Sequence, residues 1–280
     1  MLSVGHVGGG MGFSDKGKLL IKKMLGPNYA ARRLLAHELA HGEPEIALIP
    51  VLCTRDADFL DVGANIGIYS FYAKSFARHV YAMEPNPALT RHLRAILGKK
   101  GTVLAIGASD HDATAPFCIP VRNGNDVDTR SSLQEDANPD FESRKINIAI
   151  ATIDGLGLDH VGVVKIDVEG HEFAALNGAR RTLEECRPVA IVECEERHNR
   201  GGVERTFRFF EGLGYLPYFI HRGQVRLGEE FDVDRFQPAH GAKPVEGMRS
   251  PDYINNFIFI HRDNSMALSR IRQFNFEAPV

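Results

Sequence analysis

The sequence predicts a doubly wound α/β fold, a mostly parallel sheet with helices on both faces, and three observations carry that prediction. From residue 55 onward, short continuous apolar runs alternate with helix-like stretches, the pattern of parallel strands buried on both faces. The first of these runs passes into a glycine-framed turn, Asp61-Val62-Gly63-Ala64-Asn65-Ile66-Gly67, that opens a helix. Two late runs, Tyr215–His221 and Asn256–His261, follow each other without a clear helix between them and read as an antiparallel hairpin at the sheet edge.

In chain order, Asn28 to His41 is helical: Asn28 is a fitting cap, Leu34, Leu35 and Leu39 form an apolar stripe, and Gly42 ends it. A second short helix runs from Pro44 to about Cys53. The expected strands are Asp58–Val62, His79–Met83, Thr102–Ile106, Val161–Ile166 and Pro188–Cys194. The expected helices are Ile66–Arg78, Pro87–Leu97, Glu169–Cys186 and Val203–Leu213. The division is therefore a small helical extension over 1–54 and the α/β domain over 55–280. Two polar segments, 122–145 and 228–253, are too long for plain connections and read as lids or substrate loops. Gly8–Gly12 follows no strand and opens no helix, so it is a mobile terminus and not a phosphate loop.

Composition narrows the function. Apolar residues at 44% and charged residues at 25% are ordinary for a globular chain and exclude disorder or a fibre. The formal net charge of −3 removes the bulk electrostatic reason to expect nucleic acid. No apolar run is long enough for a membrane span, and the first residues lack the basic-then-apolar pattern of a secretory signal, so a cytoplasmic protein is expected. Cys53, Cys118, Cys186 and Cys194 are widely spaced and fit reduced thiols better than a disulfide scaffold.

The chemistry gathers at strand ends, where open α/β sheets bind ligands. Asp61 would attract a cation such as an amino-acid ammonium and repel a diphosphate, and the spacing differs from G-x-G-x-x-G. Gly63 and Gly67 let the backbone turn tightly and a ligand approach. Glu84, 23 residues after Asp61, stands where a strand-end acid accepts both ribose hydroxyls. Asn86 caps a helix whose first residue is Pro87. The next cluster is Lys165-Ile166-Asp167-Val168-Glu169-Gly170-His171-Glu172, with Glu193 at the same edge. Asp167, Glu169, His171 and Glu193 exceed what a bland surface needs, while Glu172 and Glu195 read as solvated and Lys165 as a partner for a neighbouring carboxylate. His37-Glu38-Leu39-Ala40-His41 matches the zinc-protease motif, but Pro44 and Ala47 stand where a third ligand and its glycine would belong, so chance helix composition explains it. Lys16, Lys18, Lys22, Lys23, Arg32 and Arg33 form a basic stretch that reads as a solvated helix face.

With these residues in view, the chain resembles the FkbM-type S-adenosylmethionine-dependent methyltransferases. The matching blocks are FLDVGANIGIYS (59–70), VYAMEPNP (80–87), AIGASD (105–110), RSSL (130–133), TIDGL (152–156), VVKIDVEGHEFAALNGARRTL (163–183) and RPVAIVE (187–193), in order, with KIDVEG the most distinctive. The resemblance implies a Rossmann-like class I methyltransferase fold, a seven-strand sheet with an antiparallel last strand. It implies that Asp61, Gly63, Ala64, Asn65 and Gly67 line the methionine part of the cofactor. Glu84 and Asn86 would serve the ribose side, Ala108, Ser109 and Asp110 would border the adenine, and Ser131 and Ser132 would belong to a cofactor or substrate loop. The implied activity is O-methylation of a sugar or natural-product hydroxyl.

The reaction expected is an in-line displacement, with Asp167 positioning or deprotonating the hydroxyl and His171 second in line. In a variant, Asp167 and Glu193 bind a magnesium-type ion, because hard carboxylates suit hard cations. Two other classes share the architecture: a nucleotide-dependent oxidoreductase, disfavoured by Asp61 and the absent glycine fingerprint, and a non-catalytic nucleoside-binding module, disfavoured by the acidic centre. The acceptor pocket is expected between the N-terminal helices and the two long segments.

Overall fold

The computed structural model describes residues 15–122, 125–126, 131–134, 142–197, 199–238 and 252–276. Helix α1 (Asp15–His41) bends where Gly26, at φ 70°, precedes Pro27, whose ring cannot sit inside a regular helix. A 3-10 turn (Pro44–Leu48) and α2 (Ile49–Leu52) follow, close to the single helix expected there. Then come β1 (Asp58–Val62), α3 (Ile68–Ala73), β2 (Val80–Met83), α4 (Pro87–Leu97), β3 (Gly101–Leu104), β4 (Gly107–Ala108), β5 (Ala113–Arg122), β6 (Asn125–Asp126) and β7 (Glu142–Ala151). The second half adds β8 (Val161–Ile166), α5 (Glu172–Asn177), α6 (Arg180–Cys186), β9 (Val189–Glu193), α7 (Gly202–Gly212), β10 (Tyr215–His221), β11 (Gln224–Leu227), α8 (Val233–Phe236), β12 (Asn256–His261) and α9 (Ser265–Gln273).

The large sheet has the order β11-β10-β12-β9-β8-β1-β2-β3, parallel from β3 through β9 and antiparallel beyond. The seven expected strands are there, and β11 is an eighth. The two late runs do pair antiparallel, Tyr215 opposite His261, but they are not a hairpin and β12 is not an edge. The hairpin is β10–β11, because Arg222 at φ 51° and Gly223 at φ 72° form the tight two-residue turn that strand twist favours. β12 then slots between β9 and β10.

Alternation along the strands divides the core. Phe59, Val163, Ile191 and Ile258 face the layer of α1, α2, α3 and α4, which contributes Leu48, Ile49, Ala73 and Leu93. Leu60, Val62, Val164, Ile166 and Val192 face the opposite layer with Phe210, Phe257 and Phe259. One residue of register would therefore exchange the two cores. The four cysteines are free thiols.

A second sheet, β4-β7-β5-β6, was not foreseen. β5 and β7 pair antiparallel over their whole length, so residues 142–145 are strand and not loop. Their inward residues Phe117, Ile119, Ile148 and Ile150 make a small core of their own. Of the expected loop at 228–253, Gly228–Glu230 is a 3-10 turn and Val233–Phe236 a helix. Gly8–Gly12, residues 123–124, 127–130, 135–141 and 239–251, and the side chains of Lys16, Lys18, Lys22 and Lys23 lie outside the described residues; Arg32 and Arg33 are exposed.

Candidate active site

At the carboxyl end of β1 the chain must pass within van der Waals distance of β8. Gly63 makes this possible: at φ 77°, a Cβ there would stand 1.8 Å from the Asp167 carbonyl oxygen. Gly67, at φ 82°, serves packing instead, since a Cβ would meet Leu93 and Ile96 of α4. Asp61 is buried, and its carboxylate accepts the Ser70 amide (3.0 Å) and hydroxyl (2.6 Å). Burial pushes its pKa up to about 6. It thus shapes the turn from within, and neither it, Ala64 nor Gly67 is among the residues lining the adjoining cavity.

That open cavity, about 530 Å³ with the solvent at its mouth included, is lined by Gly63, Asn65, Met83, Glu84, Ile106 and Ala108, with Phe117, Ser131 and Leu133 on the second-sheet side and Asp167 and Glu169 at one end. Glu84 is 5% exposed, so it is not a solvated strand-end charge. One oxygen accepts the Asn65 amide (2.8 Å) and the other the Asn86 amide (2.7 Å), which welds the turns after β1 and β2 together. Asn86 is buried and caps α4 by accepting the Ala88 amide at 3.0 Å.

Ser109 and Ser132 flank the cavity without lining it. The Ser109 hydroxyl meets His171 Nε2 at 3.1 Å, and Asp110 stands beside His111. The Ser132 hydroxyl donates to the Glu169 carbonyl at 2.6 Å and, with a backbone bridge to Cys118, closes the second sheet onto the 168–170 turn. Phe117 was missed by the sequence reading; the apolar alternation through 115–121 was its signal.

The acidic end forms where β8 and β9 stop. Carboxylate oxygens of Asp167, Glu169 and Glu193 all lie within 4.8 Å of one another. Glu169 holds the left-handed region at φ 52°, which a non-glycine residue adopts only when its surroundings enforce it. Burial, together with Asp167 and Glu169, holds the Glu193 carboxyl well above the usual range, and Asn255 donates to it. Lys165 is 3% exposed and donates to Asp167 Oδ2 at 2.8 Å. Burial works against its charge, but Asp167, Glu43 and Glu193 outweigh this and raise its pKa.

Three expectations change here. His171 does not join the acidic end: the turn at Glu169 and Gly170 swings it to the start of α5, where its ring rests on Ser109 and burial lowers its pKa. Glu172 is not solvated: it is buried, accepts the amides of Gly170 (2.8 Å) and Val168 (3.3 Å), and burial pushes its pKa up to about 7. Glu195 is likewise buried, between Arg197 and Asn255. The carboxylates at 167, 169 and 193 are hard oxygen donors of the kind a divalent cation takes, Glu169 joining the pair expected from sequence. His37 and His41 sit exposed on α1, and among the described residues no third ligand joins them.

A family description, Methyltransferase FkbM domain, matches residues 61–219. The hexuronic acid methyltransferase AglP of Haloferax volcanii is 29% identical over 163 residues, 54% of this chain and 62% of that protein; this chain thus spans less than two thirds of that relative. Among solved structures, methyltransferase FkbM from Methylobacillus flagellatus superposes with a TM-score of 0.48 at 17% identity, covering 74% of this chain and 44% of that one. SMU.1697c of Streptococcus mutans, solved in complex with SAH, gives 0.46 at 8% identity, covering 77% and 94%.

Proposed function

The chain belongs to the methyltransferase FkbM family, and from that premise we propose that it is a methyltransferase, moving the methyl group of S-adenosylmethionine to a hydroxyl of a sugar-type acceptor. The observation that carries the reading is one cavity holding Glu84, at the end of β2, and Asp167 and Glu169, at and beyond the end of β8. A nucleoside needs a strand-end acid for its ribose, and methylation of a hydroxyl needs a proton acceptor within reach.

The residues present fit this donor. Met83, Ile106, Phe117 and Leu133 supply apolar walls for an adenine ring, Ala108 and Ser131 its border, and Glu84 an acceptor for ribose hydroxyls. Gly63 and Asn65 leave the turn open to the methionine moiety. Bound there, S-adenosylmethionine supplies a methyl carbon made electrophilic by the sulfonium and leaves as a neutral thioether.

The protein's part is to hold the acceptor oxygen in line and to take its proton. Orientation accounts for about 7–11 kcal/mol at best, and a positioned base adds about 10²–10⁴-fold. We assign the base to Asp167, fixed by Lys165 through one oxygen; the proton leaves the hydroxyl for the carboxylate as the oxygen–carbon bond forms. Glu193, with its raised pKa, is suited to hold a proton beside it. A hexuronic acid is the natural first acceptor to try, since AglP carries that name.

Calorimetric titration with S-adenosylhomocysteine, with NAD as control, tests the donor. Micromolar binding that is lost in Glu84→Ala is the expected result. A folded protein that binds NAD instead, or neither compound, overturns the reading.

A further inference from the structure

Lys165 is the buried cation that the proposed chemistry leans on, yet an ammonium on a four-carbon stem is a poor anchor by itself. Three carboxylates act on its charge, Asp167 at 2.8 Å, Glu43 from the N-terminal layer and Glu193 across the same strand ends. What fixes it comes from elsewhere in the chain. Its Nζ stands 4.9 Å from the centroid of the Tyr69 ring in α3, an electrostatically attractive approach to an aromatic face. The Tyr69 hydroxyl in turn donates to Glu43 Oε2 at 2.7 Å, a charge-assisted bond that fixes the ring.

Glu43 lies ahead of the matched region 61–219, at the start of the turn Pro44–Leu48. That turn is itself immobilised, since Leu48 and Ile49 are fully buried against the same core as Phe59. A continuous series of contacts thus runs from the N-terminal layer to the acidic end: Glu43, Tyr69, Lys165, Asp167.

We propose that Glu43 and Tyr69 are positioning residues of the transfer reaction, acting through Lys165 to hold the Asp167 carboxylate in its working orientation. The proposal rests on the methyl-transfer reading. Neither residue lines the cavity, so neither should matter for the nucleoside. Each contact constrains the next, so losing any one releases the same ammonium.

The test uses Tyr69→Phe, which keeps the ring and removes its bond to Glu43, and Glu43→Gln, which keeps a bonding partner and removes the charge. With a hexuronic acid glycoside as acceptor, kcat is expected to fall about tenfold in each, well within what a small misplacement costs. The double variant should fall no further than the worse single one, because the residues act as a unit. Affinity for S-adenosylhomocysteine should stay within about twofold throughout, a split that general loosening of the fold would not produce. Unchanged kcat in both variants, multiplying losses, or equal loss of nucleoside affinity overturns the proposal. An acceptor-free reading comes from the Lys165 ammonium signal in the ¹H–¹⁵N spectrum of lysine-labelled protein, assigned by its absence in Lys165→Arg. A signal shifted or broadened in both variants supports the proposal, and one identical to wild type overturns it. Failure of the wild type to bind S-adenosylhomocysteine would sink the methyl-donor reading while leaving this second measurement to decide.

Discussion

Glu84 uses both carboxylate oxygens on backbone amides and still borders the cavity, so its charge has two tasks. Glu84→Gln keeps the shape but replaces charge-assisted bonds with neutral ones and turns one acceptor into a donor. Bonds to charged groups are worth about 1.5–3 kcal/mol, and calorimetry should show S-adenosylhomocysteine binding weakened at least about tenfold. Glu172 argues a different point. Its folded pKa of about 7 exceeds the ordinary 4.5 because burial penalises the charge more than the Gly170 amide relieves it. The protonated form is therefore favoured in the fold: this contribution to stability is complete below about pH 4 and is lost as pH rises through about 7. Glu172→Gln, neutral at every pH, should flatten the urea-midpoint profile between about pH 5 and 8 and stabilise the protein at pH 8 by about 2 kcal/mol; a profile parallel to wild type would refute this. Glu84 was legible in the sequence because a strand end leaves an acid little choice of place. Glu172 and His171 were not, because the left-handed turn at Glu169 and Gly170 decides which of four adjacent polar side chains meets the cavity.

Elements repeat that division. Pro87–Leu97 was read to the residue, since a cap and a proline mark its start and Gly98 its end. The stretch 169–186 reads as one helix in sequence but is two, α5 and α6, because Gly178 passes the Ser109 carbonyl so closely that a Cβ would lie 2.0 Å from it. The restart is capped from a distance. Asp154 accepts the Arg181 amide (2.9 Å), the Thr182 amide (2.8 Å) and the Thr182 hydroxyl (2.7 Å), doing at the N-terminus of α6 what a local cap would do. A capping residue 27 positions upstream has no signature in the helix it serves. Asp154→Ala should lower stability by about 1–2 kcal/mol in denaturant unfolding while leaving nucleoside affinity nearly unchanged, as Asp154 does not border the cavity. The β5–β7 pair escaped for another reason: the exposed half of β7, Glu142–Lys145, is polar, and without the alternation of Ile146, Ile148 and Ile150 that part has no strand signal.

At the scale of the molecule, the cavity lies where the strand order of the large sheet reverses, with β2 and β8 on either side of β1, and the second sheet closes it through Phe117, Ser131 and Leu133. The alternation of continuous apolar runs with helix-like stretches made the first half of this arrangement legible, since it implies parallel strands whose carboxyl ends share one edge. The second sheet's place over the cavity depends on long-range contacts such as Ser132 to Glu169, which no local pattern encodes. A ligand here would touch the ends of β1 and β2, the 168–170 turn and the second sheet at once. Ligand binding to the folded state alone adds about 2.7 kcal/mol at a hundredfold excess over Kd, and a chain of this size gains roughly 2–4 °C per kcal/mol. S-adenosylhomocysteine at that excess should therefore raise the melting temperature by roughly 5–10 °C, and NAD should not. Ser132→Ala separates the two sheets' contributions. Loss of its bond to Glu169 should weaken the ligand and shrink the shift at a fixed ligand concentration, because the second sheet would be left with the Gln134 bond to the Gly170 carbonyl at that turn. A shift as large as wild type in that variant would mean that β1, β2 and β8 hold the nucleoside without the second sheet.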